Sequence, residues 1–140
     1  MENTAPRWLL WVGILLLLWN LMGVGAFISD WNMSESDIAA LPKLQQDLWN
    51  GMPGWAWAAF AVGVLAGTLG SIGLIMRKSW APLLFALSLI AVIIQFAYPF
   101  MFANAAQGGM DMLALPIFII VVAVIQWQLS RNWQRKGWLA

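Results

Sequence analysis

Among the polar residues within or at the rim of apolar tracts, five are candidates for a polar site, where hydrogen bonding is the chemistry open to them. They are Asn20 in "LLWNLMGVGAF", Asp30 at the close of that tract, Thr68 in "LAGTLGS", Gln95 in "AVIIQFA" and Gln126 in "VAVIQWQLS". A carboxamide offers two N–H donors and a carbonyl acceptor. In a dry interior it needs a partner, either another helix or a neutral solute such as a sugar. Asn20, Gly23, Phe27 and Asp30 recur at helical steps, so they share an edge that leads from an outer mouth to the amide. At about 1.5 Å per residue, Asn20 and Gln95 fall at similar depths, and so do Thr68 and Gln126. Two polar layers are therefore predicted, Asn20 with Gln95 and Thr68 with Gln126.

Other chemistry is poorly supplied. The sequence has no Cys and no His, which removes thiolate nucleophiles, disulfides, cysteine-held clusters and imidazole ligands. No acidic pair falls within an apolar tract, and Ser71 and Ser88 have no evident base. No catalytic residue, cofactor or metal is expected, and the protein is not expected to be an enzyme. A net charge of +1 gives no reason to expect nucleic acid.

The elements that must position these residues are four apolar tracts, about 8–29, 55–76, 82–102 and 113–129. Each is about long enough to cross some 30 Å of hydrocarbon. The chain is 62% hydrophobic and only 9% charged, too few charges to wet four long helices. The fold class expected is all-α: one polytopic membrane domain over 1–140, a bundle of four transmembrane helices. Glu2 precedes Arg7, and no good cleavage signal follows, so the first tract is expected to be retained rather than removed. "NGMPGW", "RKSWAP" and "NAAQGGMD" supply the breaks between tracts, and Pro116 is placed at the start of the fourth helix.

Six of the seven basic residues fall on one side of the four tracts, and only Lys43 falls on the other. The positive-inside rule then puts both termini in the cytoplasm. Asp30, Glu35, Asp37, Asp47 and Asp111 fall on the outer side. Ten of the eleven tryptophans, Trp133 among them, fall near one boundary or the other, as interfacial anchors do; Trp19 alone lies well inside a tract.

Between the first two tracts, residues 34–50 read as an amphipathic interfacial segment. Ser34 and Asp37 approximate a capping box, Ile38, Leu41, Leu44 and Leu48 recur at helical spacing, and Pro42 is a candidate break. In the second tract Ala59, Gly63, Gly67 and Ser71 form a small-residue stripe for close helix packing, either within the bundle or between copies.

"LLWNLMGVGAF", "GMPGWAWAAFAVGVLAGTLGS" and "LLFALSLIAVIIQ" together resemble a small bacterial inner-membrane family with four spans, often labelled "sugar transporter". The resemblance implies a four-span fold over nearly the whole chain and supplies no site residue. The functional expectation is a non-enzymatic packing or accessory protein in the lipid bilayer, joined to itself as a homo-oligomer or to another membrane protein. The alternative is a transporter or channel for a small neutral, sugar-like solute.

Overall fold

The computed structural model describes residues 6–98 and 110–139, except the side chains of Leu44, Leu48 and residues 110–113. The described residues form six helices: α1 Trp8–Trp31, α2 Glu35–Ala39, α3 Lys43–Asn50, α4 Gly54–Ile75, α5 Ala81–Ala97 and α6 Met110–Arg135. The chain is an all-α polytopic membrane protein. Three helices are long and apolar enough to cross a bilayer, Trp8–Trp31, Gly54–Ile75 and Ala114–Arg135, and α5 is a shorter apolar candidate. The end expected for the third tract, the break after it and the Asp111 side chain lie outside what is described.

The bundle closes in the order α1, α4, α5, α6. Neighbouring backbones pack closely along α1–α4, α4–α5 and α5–α6, whereas α6 and α1 meet mainly through side chains. Helix α4 is the hub, with 44% of its most apolar stretch buried against 17% for α1 and for α6. Its small residues make this possible: a methyl group on Gly63 would press on Val92 of α5, and one on Gly70 would press on the ring of Phe85. The outward faces carry large apolar side chains such as Leu15, Leu83, Ile90 and Ile117, as lipid contact requires.

The end that carries both termini has its own core of Leu9, Leu74, Ala81, Phe85, Trp133 and Leu139. Two helix stops build it. After α4, Lys78 N–H donates to Gly73 O at 2.8 Å and Arg77 N–H to Leu74 O at 3.1 Å, with Arg77 in the left-handed region at φ 57°. After α6, Trp138 N–H donates to Trp133 O and Gly137 N–H to Gln134 O, both at 3.0 Å, with Gly137 at φ 79°. Both are Schellman stops. The second turns Trp138 and Leu139 back onto the bundle, where Trp8 meets the rings of Trp133 and Trp138 edge-on.

Two expectations change here. Pro116 lies two turns inside α6, because residues 110–113 are already helical; membrane helices tolerate an interior proline when neighbours meet the freed carbonyl. Trp133 is 1% exposed, a core residue rather than an interfacial anchor, because α6 runs on to Arg135 and turns that indole inward.

At the opposite end, Ser34 caps α2. Its Oγ accepts from Asp37 N–H at 3.2 Å, and Asp37 Oδ2 accepts from Ser34 N–H at 3.1 Å. The bond from the Ser34 backbone N–H, with help from the Ser34 side chain, holds the Asp37 carboxyl below its ordinary range. Pro42 starts α3, and Gln46 Nε2 donates back to Leu41 O at 2.6 Å, stitching the two short helices together. Trp49 of α3 meets Trp57 of α4, which packs with Phe27, Trp31 and Phe60.

Candidate functional site

In the half of the bundle away from the termini, all four long helices line one cavity of about 250 Å³. Helix α1 contributes Trp19, Asn20, Met22, Gly23 and Ala26; α4 contributes Phe60, Gly63 and Val64. Helix α5 contributes Ser88, Val92, Gln95 and Phe96, and α6 contributes Leu115, Ile119, Ala123 and Gln126. The wall is overwhelmingly apolar, with its polar groups concentrated on Asn20, Ser88, Gln95 and Gln126.

A hydrogen-bonded node joins three helices beside the cavity. Asn20 Nδ2 donates to Gln126 Oε1 at 2.6 Å, to Ser71 Oγ at 3.0 Å and to Leu16 O at 2.8 Å, so its two hydrogens serve three acceptors. Ser71 in turn donates to Gly67 O at 2.9 Å, which leaves its lone pairs for Asn20. Asn20, Ser71 and Gln126 are all buried. Gly67 lets the node form: a methyl group there would run into the Asn20 carboxamide oxygen. Ser88 Oγ donates across to Gly63 O at 2.7 Å, tying α5 to α4.

The predicted layers are therefore re-paired. Asn20 bonds Gln126 rather than Gln95. Thr68 donates to Val64 O of its own helix at 2.7 Å and has no part in the cavity lining. The depth count ended the last helix at residue 129, whereas α6 continues to Arg135. Those six residues add about 9 Å, which raises Gln126 to within side-chain reach of Asn20. Asp30 lies in the last turn of α1, also outside the cavity lining. Of the edge predicted to lead inward, Asn20 and Gly23 line the cavity, and Phe27 packs into the aromatic group above it.

The stripe of Ala59, Gly63, Gly67 and Ser71 is buried within the bundle. Sequence reasoning placed Ser71 there only for packing and set Ser88 aside for want of a base. Both are hydrogen-bonding residues. The signal for Ser88 was its place one and two helical turns from Val92 and Gln95 on a shared face.

Two side-chain amides at the site keep donors that meet no acceptor among the described residues. Gln126 is 2% exposed; its Oε1 is taken by Asn20, and its Nε2 donates to nothing among the described residues. Among those residues, no fully buried side-chain nitrogen or oxygen lacks a partner. Gln126 Nε2 is thus reached from the cavity it lines rather than sealed in the wall. Gln95, half-buried on the same cavity, likewise makes no hydrogen bond to the described residues. No group of metal-ligating side chains occurs among the described residues. No family model matches the chain, and neither the curated proteins nor the solved structures contain a match.

Proposed function

We propose that this chain is a non-enzymatic membrane protein that binds one small neutral molecule inside its helix bundle. The observation that carries the reading is Gln126, a nearly wholly buried residue lining the cavity, whose Nε2 has no acceptor among the described residues. A hydrogen bond to that donor is worth about 0.5–1.5 kcal/mol net, so an occupant bearing an acceptor oxygen at that point is favoured. The volume, about 250 Å³, exceeds the roughly 150 Å³ cavity that takes one benzene ring and falls below the roughly 300 Å³ where drug-sized pockets begin. A single ring with a short chain suits it.

Such an occupant differs from the sugar that the family resemblance implies. A sugar would press most of its hydroxyls against apolar wall, each at a desolvation cost of about 1–3 kcal/mol. An exposed glycine stripe would favour the accessory-protein reading. The stripe is instead occupied by α1 and α5 of the same chain, so self-association would have to use the lipid-facing sides. The basic residues at the end with both termini support a cytoplasmic location for that end, and the family resemblance supports a bacterial inner membrane. Single cysteines at Ser34 and Ser79, in a chain with none of its own, would then label from outside and from inside respectively.

The binding test uses 4-fluorophenyl propyl ketone and the matching fluoro-butylbenzene, which lacks the oxygen, followed by 19F NMR in lipid nanodiscs. The ketone is expected to bind about five- to tenfold more tightly, the worth of one hydrogen bond. Gln126→Leu should equalise the two, and Ala123→Phe, which fills the cavity, should abolish both. Equal binding of the two probes to the parent, or displacement of the ketone by glucose or glycerol alone, would overturn the reading.

A further inference from the structure

We infer that the cavity takes its occupant sideways from the bilayer, between α1 and α6, with the Trp19–Phe118 ring pair as the movable closure. This rests on the binding reading above and adds the source of the ligand, a molecule dissolved in lipid rather than in water. The direction follows from which lining residues are exposed. Met22 and Ala26 on α1 and Leu115 on α6 are exposed, Met22 at 69% and Leu115 at 62%. Every lining residue of α4 and α5 is buried or half-buried. The cavity therefore opens on the one seam of the ring whose backbones stay apart.

That seam is closed by side chains alone. Toward the termini it is held by the Asn20–Gln126 bond and by Trp8 against Trp133 and Trp138. Beside the cavity, Trp19 and Phe118 meet edge to face with ring centroids 5.4 Å apart. Trp19 lines the cavity, whereas Phe118 lies outside the lining and is 54% exposed. A rotamer change at Phe118 needs no backbone movement and breaks no hydrogen bond. The other approach, from the loop end, is covered by a chain of ring contacts: Phe27 and Trp57 pack on each other and on Phe60, Trp31 packs on both Phe27 and Trp57, and Trp49 packs on Trp57. An occupant from that side would have to part several ring contacts instead of one.

The test measures exchange of the fluorinated ketone in nanodiscs by 19F NMR. Phe118→Ala should raise association and dissociation rates together, by about two- to tenfold, with Kd unchanged. That factor is what losing one edge-to-face contact is worth to a barrier. Phe118→Leu, which keeps more of the volume, should fall between it and the parent. Trp49→Ala, on the loop-end approach, should leave both rates alone. Association should also follow the mole fraction of ketone in the bilayer as lipid is added. Faster exchange in Trp49→Ala with none in Phe118→Ala would overturn the lateral route while leaving binding intact. A parent that holds no ketone at all would overturn the binding reading and the route with it.

Discussion

Asn20 and Gln126, 106 residues apart in the chain, are joined by a 2.6 Å hydrogen bond that links the first long helix to the last. Removing Asn20 alone leaves Gln126 Oε1 without its donor, whereas removing Gln126 leaves Asn20 Nδ2 bonded to Leu16 O and Ser71 Oγ, so the coupling is modest. In a double-mutant cycle of Asn20→Leu and Gln126→Leu, the expected coupling is about 0.6 kcal/mol and at most about 1.7 kcal/mol. The same cycle between Asn20 and Gln95 should give no coupling. Equilibrium unfolding in detergent measures both, and the reverse ranking would restore the pairing expected from depth alone.

Gly67 should be the least replaceable small residue of α4. Gly67→Ala forces the Asn20 carboxamide away and should destabilise by about 1–3 kcal/mol, as overpacking does. Gly25→Ala is the matched control: nothing lies within 4 Å of the added methyl. It should be neutral or stabilising by up to about 1 kcal/mol, since alanine favours helix. The thermal melt should fall for Gly67→Ala and hold or rise for Gly25→Ala.

The two left-handed stops predict opposite signs for one kind of exchange. Arg77→Gly relieves a side chain at φ 57° and should stabilise by about 0.5–1 kcal/mol, whereas Gly137→Ala imposes that strain at φ 79° and should cost about 1 kcal/mol. Arg77→Ala removes the charge but keeps the strain, so the gap between Ala and Gly at 77 isolates the backbone effect. Chemical denaturation of the three variants against the parent reads it directly.

Acid should loosen α2 before the bundle. The Asp37 carboxyl is held below its ordinary range by its bonds to Ser34. The stability it adds is therefore complete above the ordinary carboxylate range and is lost as the pH falls through Asp37's own lower value. The Ser34 and Asp37 amide signals in NMR should shift together across that window. In Asp37→Asn they should stay flat. A midpoint at or above the ordinary carboxylate value would refute the bond between cap and carboxylate.

The long helices and the capping box were legible because each is encoded locally, by an apolar run in one case and by Ser34 three residues before Asp37 in the other. What lay between helices was not. Depth counting paired Asn20 with the wrong amide because the end of α6 was set by its last uninterrupted apolar residues. The helix in fact passes Arg131 and ends at Arg135, and long basic side chains can reach polar surroundings from within a helix. The glycine stripe could be seen, but its neighbours could not. That Gly67 faces Asn20 while Gly63 faces Val92 depends on the rotation of α4 between two partners. Ser88 Oγ reaching Gly63 O involves a backbone carbonyl of another helix, and a sequence carries no mark of that acceptor.

The Asn20 node also has an order in time. Its three acceptors lie 4, 51 and 106 residues from it in the chain. During synthesis the Leu16 carbonyl is present as soon as α1 has formed, so the amide can enter the membrane already bonded to its own helix. Ser71 arrives with the second long helix and Gln126 only with the last. Each new helix offers the same nitrogen a further partner, and at no stage of insertion must the amide face lipid alone.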